Sequence, residues 1–198
     1  MKKSIVMLVL AMILGGCGLA AQSIKTQHPG NVNRVNPDLD FRELRENEAS
    51  KKFGSVYVGI VLTMRAGNQR TLGGHPFLLM PYSDGLWQDY SLLLRWYSSP
   101  SVNPEDIAKR RDAEGYIKQS IVVYNDKLSE GRVLHLIRKE QTRVNGETQI
   151  DQLPIGQYII ITSHQDAYNK VEWLVRFSIE ANKTTQVFLT NSNATFIY

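Results

Sequence analysis

The chain has 198 residues, 42% of them hydrophobic and 21% charged, which suits one folded domain with a sizeable core. Its formal charge of +4 comes from 23 Lys and Arg against 19 Asp and Glu. Two of the basic residues, Lys2 and Lys3, stand at the extreme start, and the small surplus without them argues against a nucleic-acid partner. The single cysteine excludes an internal disulfide framework.

The chain opens Met1-Lys2-Lys3 and continues through Ser4–Leu14 as SIVMLVLAMIL. An apolar run of about ten residues is too short to cross a bilayer core of about 30 Å as a helix. A basic start, a short apolar stretch and small residues describe a signal peptide, here residues 1–16. The following LGGC (Leu14, Gly15, Gly16, Cys17) resembles the lipobox of bacterial lipoproteins. That resemblance implies diacylglycerol on the Cys17 sulfur, cleavage before Cys17, and acylation of its amino group with a fatty acid such as palmitate. Several acyl chains on one residue suffice for stable anchoring, since each buried CH₂ contributes about 0.8 kcal/mol. The membrane is then a partner through the lipid anchor at Cys17. Gly18, where retained inner-membrane relatives tend to carry Asp, implies sorting to the outer membrane in a two-membrane organism. No later segment holds 18 uninterrupted apolar residues, so no transmembrane helix is expected.

Residues 18–37, GLAAQSIKTQHPGNVNRVNP, are poor in apolar side chains and interrupted by Pro and Asn. They cannot bury enough surface to offset their ordering entropy. With Cys17 they read as a flexible lipidated tether over 17–37, leaving 38–198 as a mainly-β periplasmic domain. His28 in such a tether is most simply a solvated side chain.

Residues 38–53 read as a short polar helix, acidic at its start, closed by Lys51 and Lys52 and stopped at Gly54. In SVYVGIVLTMR, Val56, Val58, Ile60, Leu62 and Met64 alternate with more polar neighbours, which predicts a half-buried strand. AGNQRTLGGHP reads as a loop, and His75 between Gly74 and Pro76 has no second ligand beside it. FLLMP and YSLLLRWY are two further strand candidates around an Asp84-Gly85 turn, with a short buried helix over 86–97 as the alternative for the second. Asn103, Pro104, Glu105 and Asp106 are good helix-starting residues and predict a helix over 104–113.

In the C-terminal third, YIKQSIVVYND and RVLHLIRKEQTRV read as strands, and Asn145-Gly146 is a strong hairpin signal. QYIIIT follows the turn-like LPIG. In EWLVRFSIE, Trp173, Val175, Phe177 and Ile179 share one face. TTQVFLT and ATFIY add a strand and an edge strand. Short strands at this spacing predict a mainly-β fold, a β-sandwich with one or two short helices. Residues Leu153, Pro154, Gly156, Tyr158, Asn182, Lys183 and Thr184 resemble the turn-and-strand pattern of prealbumin-like or PEGA-like β-sandwiches of bacterial envelope proteins. The resemblance covers 119–198 and implies a binding or scaffolding role, with no catalytic residues to carry over.

The sequence names no chemistry. His28, His75, His135 and His164 are scattered without metal-ligand spacing, and no cofactor motif is present. His135, between Leu134 and Leu136, reads as a structural histidine in a strand. Ser163, His164 and Asp166 are neighbours in sequence, which does not generally make triad geometry. Trp87, Tyr90, Trp96 and Tyr97 crowd a short region beside turns. Core packing is the commoner use of such residues, and partly exposed they form a candidate binding patch for a protein or a glycan.

These readings together give an outer-membrane lipoprotein on the periplasmic side. It is expected to act without catalysis, binding other cell-envelope proteins as an accessory or assembly factor of a secretion, pilus or conjugation apparatus. The alternatives are an envelope hydrolase acting on peptidoglycan or glycan, and a small-molecule or metal-binding module. A cleft with two facing carboxylates would favour the hydrolase.

Overall fold

A computed structural model describes residues 41–64, 67–84, 87, 125–166, 170–194 and 196–197. The signal peptide, Cys17, the tether, the helix expected over 104–113, and Tyr90, Trp96 and Tyr97 lie outside the described residues.

Two sheets form the sandwich. The first is built around β1 (Phe53–Thr63), which pairs antiparallel with β2 (Gln69–Thr71) and β5 (Glu147–Pro154) and parallel with β8 (Thr184–Leu189). The second is antiparallel, in the order β4 (Arg138–Gln141), β3 (Pro76–Pro81), β6 (Gly156–Gln165), β7 (Lys170–Ile179), β9 (Phe196–Ile197). Both sheets draw on strands from before residue 82 and after residue 137. Helix α1 (Arg42–Ala49) leads into β1.

The alternation in β1 does what its period demands. Val56, Val58, Ile60 and Leu62 are buried, while Ser55, Tyr57 and Val61 on the other face are half-exposed. Trp173, Phe177 and Ile179 of β7 are buried in the same core. The Trp173 Nε1–H donates to the Thr190 carbonyl beyond β8 at 2.8 Å, a bond between elements of the two sheets. β3 and β6 lie inside the second sheet and are buried on both faces, which explains the unbroken runs FLLMP and YIIIT. Leu128, Val133 and Leu136, from the segment that precedes β4, belong to the same core cluster.

Several expectations are corrected. Gly54 does not stop the helix. The helix ends at Ser50 and Lys51, where Lys51 takes φ 54°, and Gly54 sits inside β1. A side chain there would place Cβ 2.2 Å from the Glu180 carbonyl oxygen, so only glycine lets β1 pass under the β7–β8 turn. The expected loop after β1 contains the short strand β2. Asp84 begins a helical turn, with the Trp87 N–H donating to the Ser83 carbonyl at 3.0 Å, and the second strand candidate over 90–97 lies outside the described residues. Asn125 and Asp126, read as the end of a strand, are helical, in a stretch over 125–130.

The apolar run around His135 is not a strand. Leu134–Leu136 form a 3₁₀ turn, entered after Arg132 at φ 57°, and β4 starts only at Arg138. Asn145-Gly146 does form a tight turn, with Gly146 at φ 82° and the Arg143 N–H donating to the Glu147 carbonyl at 2.8 Å. Its flanking strands nevertheless separate, β4 to β3 and β5 to β1, so the link carries the chain from one sheet to the other.

Candidate binding cleft

The chain crosses between sheets again at the single residue Ile155, between β5 and β6. α1 lies beside that crossing. Asn47 Nδ2 donates to the Ile155 carbonyl at 2.9 Å, and Arg45 Nη1 donates to the Gly131 carbonyl at 2.8 Å. Gly156, at φ 156°, lies under Leu44, where a Cβ would come within 2.7 Å of the Leu44 methyl. The result is an open cleft of about 400 Å³, within the usual range of small-ligand sites, about 300–1,000 Å³. Glu43 and Leu44 come from α1, Tyr82, Ser83 and Asp84 from the end of β3, Gly156 and Gln157 from β6, and Ser178 and Ile179 from β7.

The β3 side of the cleft is held by a layered stack. The Arg176 guanidinium lies 3.9 Å from the centre of the Tyr82 ring, its Nη1 donates to the Tyr82 hydroxyl at 2.9 Å, and its Nη2 donates to Gln157 Oε1. The Tyr82 hydroxyl donates in turn to Asp84 Oδ1. Burial, with help from the Asp84 carboxylate, pushes the Tyr82 hydroxyl up to about 12, so it remains a donor at any physiological pH. Trp87, half-buried, packs on Tyr82 with ring centres 6.1 Å apart and planes tilted by 51°. Of the four aromatic residues singled out in the sequence, Trp87 is therefore placed beside the cleft. Tyr82 and Arg176 were not singled out, because one follows a strand run and the other alternates with core residues like any outward position.

The histidines divide. His135 is exposed and its Nε2 lies 2.7 Å from Glu48 Oε1, tying the 3₁₀ turn to α1. His75 and His164 come together with ring centres 5.6 Å apart, edge to face. His75 Nε2 shares a hydrogen bond of 3.0 Å with the Thr162 hydroxyl, which donates to the Pro76 carbonyl at 2.7 Å. Burial, reinforced by neighbouring His164, lowers His75 to about 4. Burial also lowers His164, opposed by Asp166 and assisted by Arg70. The two rings are therefore neutral packing groups near pH 7.

Ser163 and His164 are consecutive on β6 and project from opposite faces, so the neighbouring Ser, His and Asp do not converge as a triad. Among the described residues no group of three or more His, Cys, Asp or Glu is placed to hold a metal ion. Asn193, part of a sequon-like NAT, accepts from the Thr190 N–H at 2.8 Å and donates to the Phe188 carbonyl at 2.6 Å.

No family model matches the chain, and no curated protein matches it. Among solved structures it is similar to a candidate carbohydrate-binding protein from Pseudomonas aeruginosa, at 15% identity and TM-score 0.40, over 74% of this chain and 96% of that one. It is also similar to GBS52, a minor pilin of Streptococcus agalactiae, at 13% identity and TM-score 0.38, over 70% of this chain. The chain spans 44% of the length of that pilin. Scores this low carry nothing about function.

Proposed function

We propose that this chain is a lipid-anchored, non-catalytic binding module of a bacterial cell envelope. In this reading Cys17 carries the anchor at the periplasmic side of the outer membrane. The folded domain docks on other envelope proteins as an accessory or assembly factor of a secretion, pilus or conjugation apparatus. The LGGC motif supports the anchor. The observation that carries the docking role is the Arg176–Tyr82–Trp87 stack beside an open cleft. Arg, Tyr and Trp dominate binding hot spots, and here two of the three are fixed before any partner arrives, which reduces the ordering cost of association.

One observation favours the hydrolase instead: Glu43 and Asp84 both line the cleft. Both are solvent-exposed, however, and a carboxyl group that must hold a proton as general acid needs an enclosed apolar setting. The deciding experiment compares Tyr82→Ala with Glu43→Gln in complementation of a deletion strain, with folding and membrane association checked for each. The docking reading expects Tyr82→Ala to fail and Glu43→Gln to function. The reverse pattern, with peptidoglycan cleavage lost in Glu43→Gln, would replace it with the hydrolase.

A further inference from the structure

The outward face of the first sheet is organised in rows that cross three strands. Pairing places Gln149, Tyr57 and Gln186 in one row and Glu147, Gly59 and Phe188 in the next. Ser55 and Asp151 extend the face, joined by a 2.8 Å hydrogen bond. The inward neighbours Val56, Val58, Ile150 and Val187 are buried, so all of these residues belong to the outer surface.

Phe188 is the anomaly on this surface. It is 42% exposed, although the other outward residues of its strand are Thr184 and Gln186. Core burial of β8 is already supplied by Val187 and Leu189. The ring lies down over Gly59, where a Cβ would come 2.7 Å from Phe188 Cδ1 and 2.9 Å from Cε1. Glycine at 59 is therefore what lets an aromatic ring lie flat on the sheet. Tyr57 meets it edge to face, ring centres 6.1 Å apart and planes at 64°, so the two rings make a floor and a wall. The backbone beneath is pinned. Asn193 donates to the Phe188 carbonyl, and the Asn191 side chain accepts from the Thr63 N–H at 2.7 Å and donates to the Thr63 carbonyl at 3.2 Å.

The polar groups around the rings are also pre-set. Asp151 Oδ1 accepts from both Ser55 and Gln149 Nε2, the latter at 2.7 Å, and Glu147 Oε2 accepts from Asn145 Nδ2 at 2.8 Å. No Lys or Arg occupies an outward strand position on this face among the described residues. An anionic ligand is therefore disfavoured. The carboxylates are oriented by internal donors and keep acceptor capacity for neutral hydroxyls. Two strand spacings, about 10 Å, separate the ends of a row, wide enough for a disaccharide. A flat exposed ring takes the apolar C–H face of a sugar, and side-chain amides and carboxylates take its equatorial hydroxyls.

We infer that the outer face of the β2-β1-β5/β8 sheet is a binding site for a neutral pyranose glycan, with Phe188 and Tyr57 as the stacking platform and Gln149, Gln186 and Asp151 as hydroxyl-binding groups. This surface shares no residue with the cleft at Tyr82, so the two assignments stand or fall separately.

The test uses the full chain in a non-glycosidic detergent, with chitohexaose and cellohexaose as probes and dextran sulfate and a lysine-rich peptide as comparators, read by titration calorimetry. The expected result is saturable binding of at least one neutral oligosaccharide and none of dextran sulfate. Phe188→Ala should weaken it at least tenfold, and Gln149→Ala several-fold. Gly59→Ala should weaken it comparably while leaving Phe188 in place, because the added methyl lifts the ring; Tyr82→Ala should leave it unchanged. Circular dichroism verifies that each variant is folded. Three results would overturn the inference: no neutral oligosaccharide binds, Phe188→Ala binds as wild type, or the lysine-rich peptide binds in a Phe188-dependent way. Phe188-dependent dimerisation without sugar binding would also overturn it, assigning the face to a second copy of the chain.

Discussion

Replacing His75 with glutamine should flatten the acid side of the stability curve. His75 is half-buried against His164 and is lowered to about 4, whereas an unfolded histidine titrates near 6.5. Between these values the unfolded chain binds a proton that the folded chain refuses, so stability falls as pH falls from about 6.5 towards about 4. Integrating the two titrations to pH 4.5 gives a ceiling of about 2.5 kcal/mol. Partial solvent access screens the site, and a loss of about 1–1.5 kcal/mol is the realistic size. Glutamine keeps an amide within reach of the Thr162 hydroxyl but cannot titrate. Urea denaturation at pH 7.5 and pH 4.5, for wild type and His75→Gln, isolates the contribution as a difference of differences. Carboxylates common to both proteins cancel, and His164, lowered for the same main reason, remains as the residual slope. If wild type and His75→Gln lose equal stability between the two pH values, His75 is not held neutral by burial and the packing described around it is wrong.

Phe177→Ala should destabilise the domain by about 3 kcal/mol, the low end for an aromatic truncation, because Phe177 is 9% exposed and stacks on Tyr158. Arg176→Ala, one residue away on the outward face, should cost about 1 kcal/mol or less through its exposed cation–π contact; equal denaturation midpoints would sink the assignment of faces in β7. Gly54→Ala should cost about 1–3 kcal/mol, since the new Cβ meets backbone that has no rotamer to escape into, and an unchanged melting temperature would contradict the close passage of β1 beneath the β7–β8 turn. Cys17→Ser should abolish incorporation of labelled palmitate and leave the chain uncut at this site, and continued labelling would exclude Cys17 as the acylated residue.

Strands with one buried face were legible in the sequence, because period-two alternation is the direct imprint of a sheet with a wet side. β1 shows this down to Val56, Val58, Ile60 and Leu62; β7 shows it over Phe177–Ile179, whereas Glu172 and Leu174 on its other face are also buried and Val175 is only half-buried. Pairing was less legible. Asn145-Gly146 dictates a local backbone bend, and nothing in a two-residue turn says whether the strands on either side remain neighbours. The apolar letters around His135 suit a strand and a 3₁₀ turn equally, and the turn that forms buries Leu136 and sets His135 against Glu48 of α1. The sites were hardest to see. His75 and His164 meet only because β3 and β6 are adjacent, and Phe188 gains its role only because Gly59 is its neighbour in a parallel pair. Such juxtapositions depend on register across the sheet, which no local pattern records.

The position of the cleft follows from the topology that made the hairpin reading fail. A sandwich whose consecutive strands stay in one sheet has few places where the chain must pass between layers. Here the chain passes between the layers at several links, the Asn145-Gly146 turn among them, and two of these are Ile155, between β5 and β6, and the link after Ile179, between β7 and β8. Both crossings adjoin the same cleft, which Ile155 and Ile179 line directly. Backbone that crosses between layers cannot continue a ladder, so its polar groups need other partners. The Ile155 carbonyl finds Asn47, and the Asn182 N–H finds the Phe53 carbonyl. α1 is thus held at this end of the sandwich by the requirement to satisfy a crossing, and in being held it supplies one wall of the cleft. The outer face of the first sheet has no such requirement. Its outward residues share nothing with the cleft lining, and that separation leaves one domain able to present two independent surfaces.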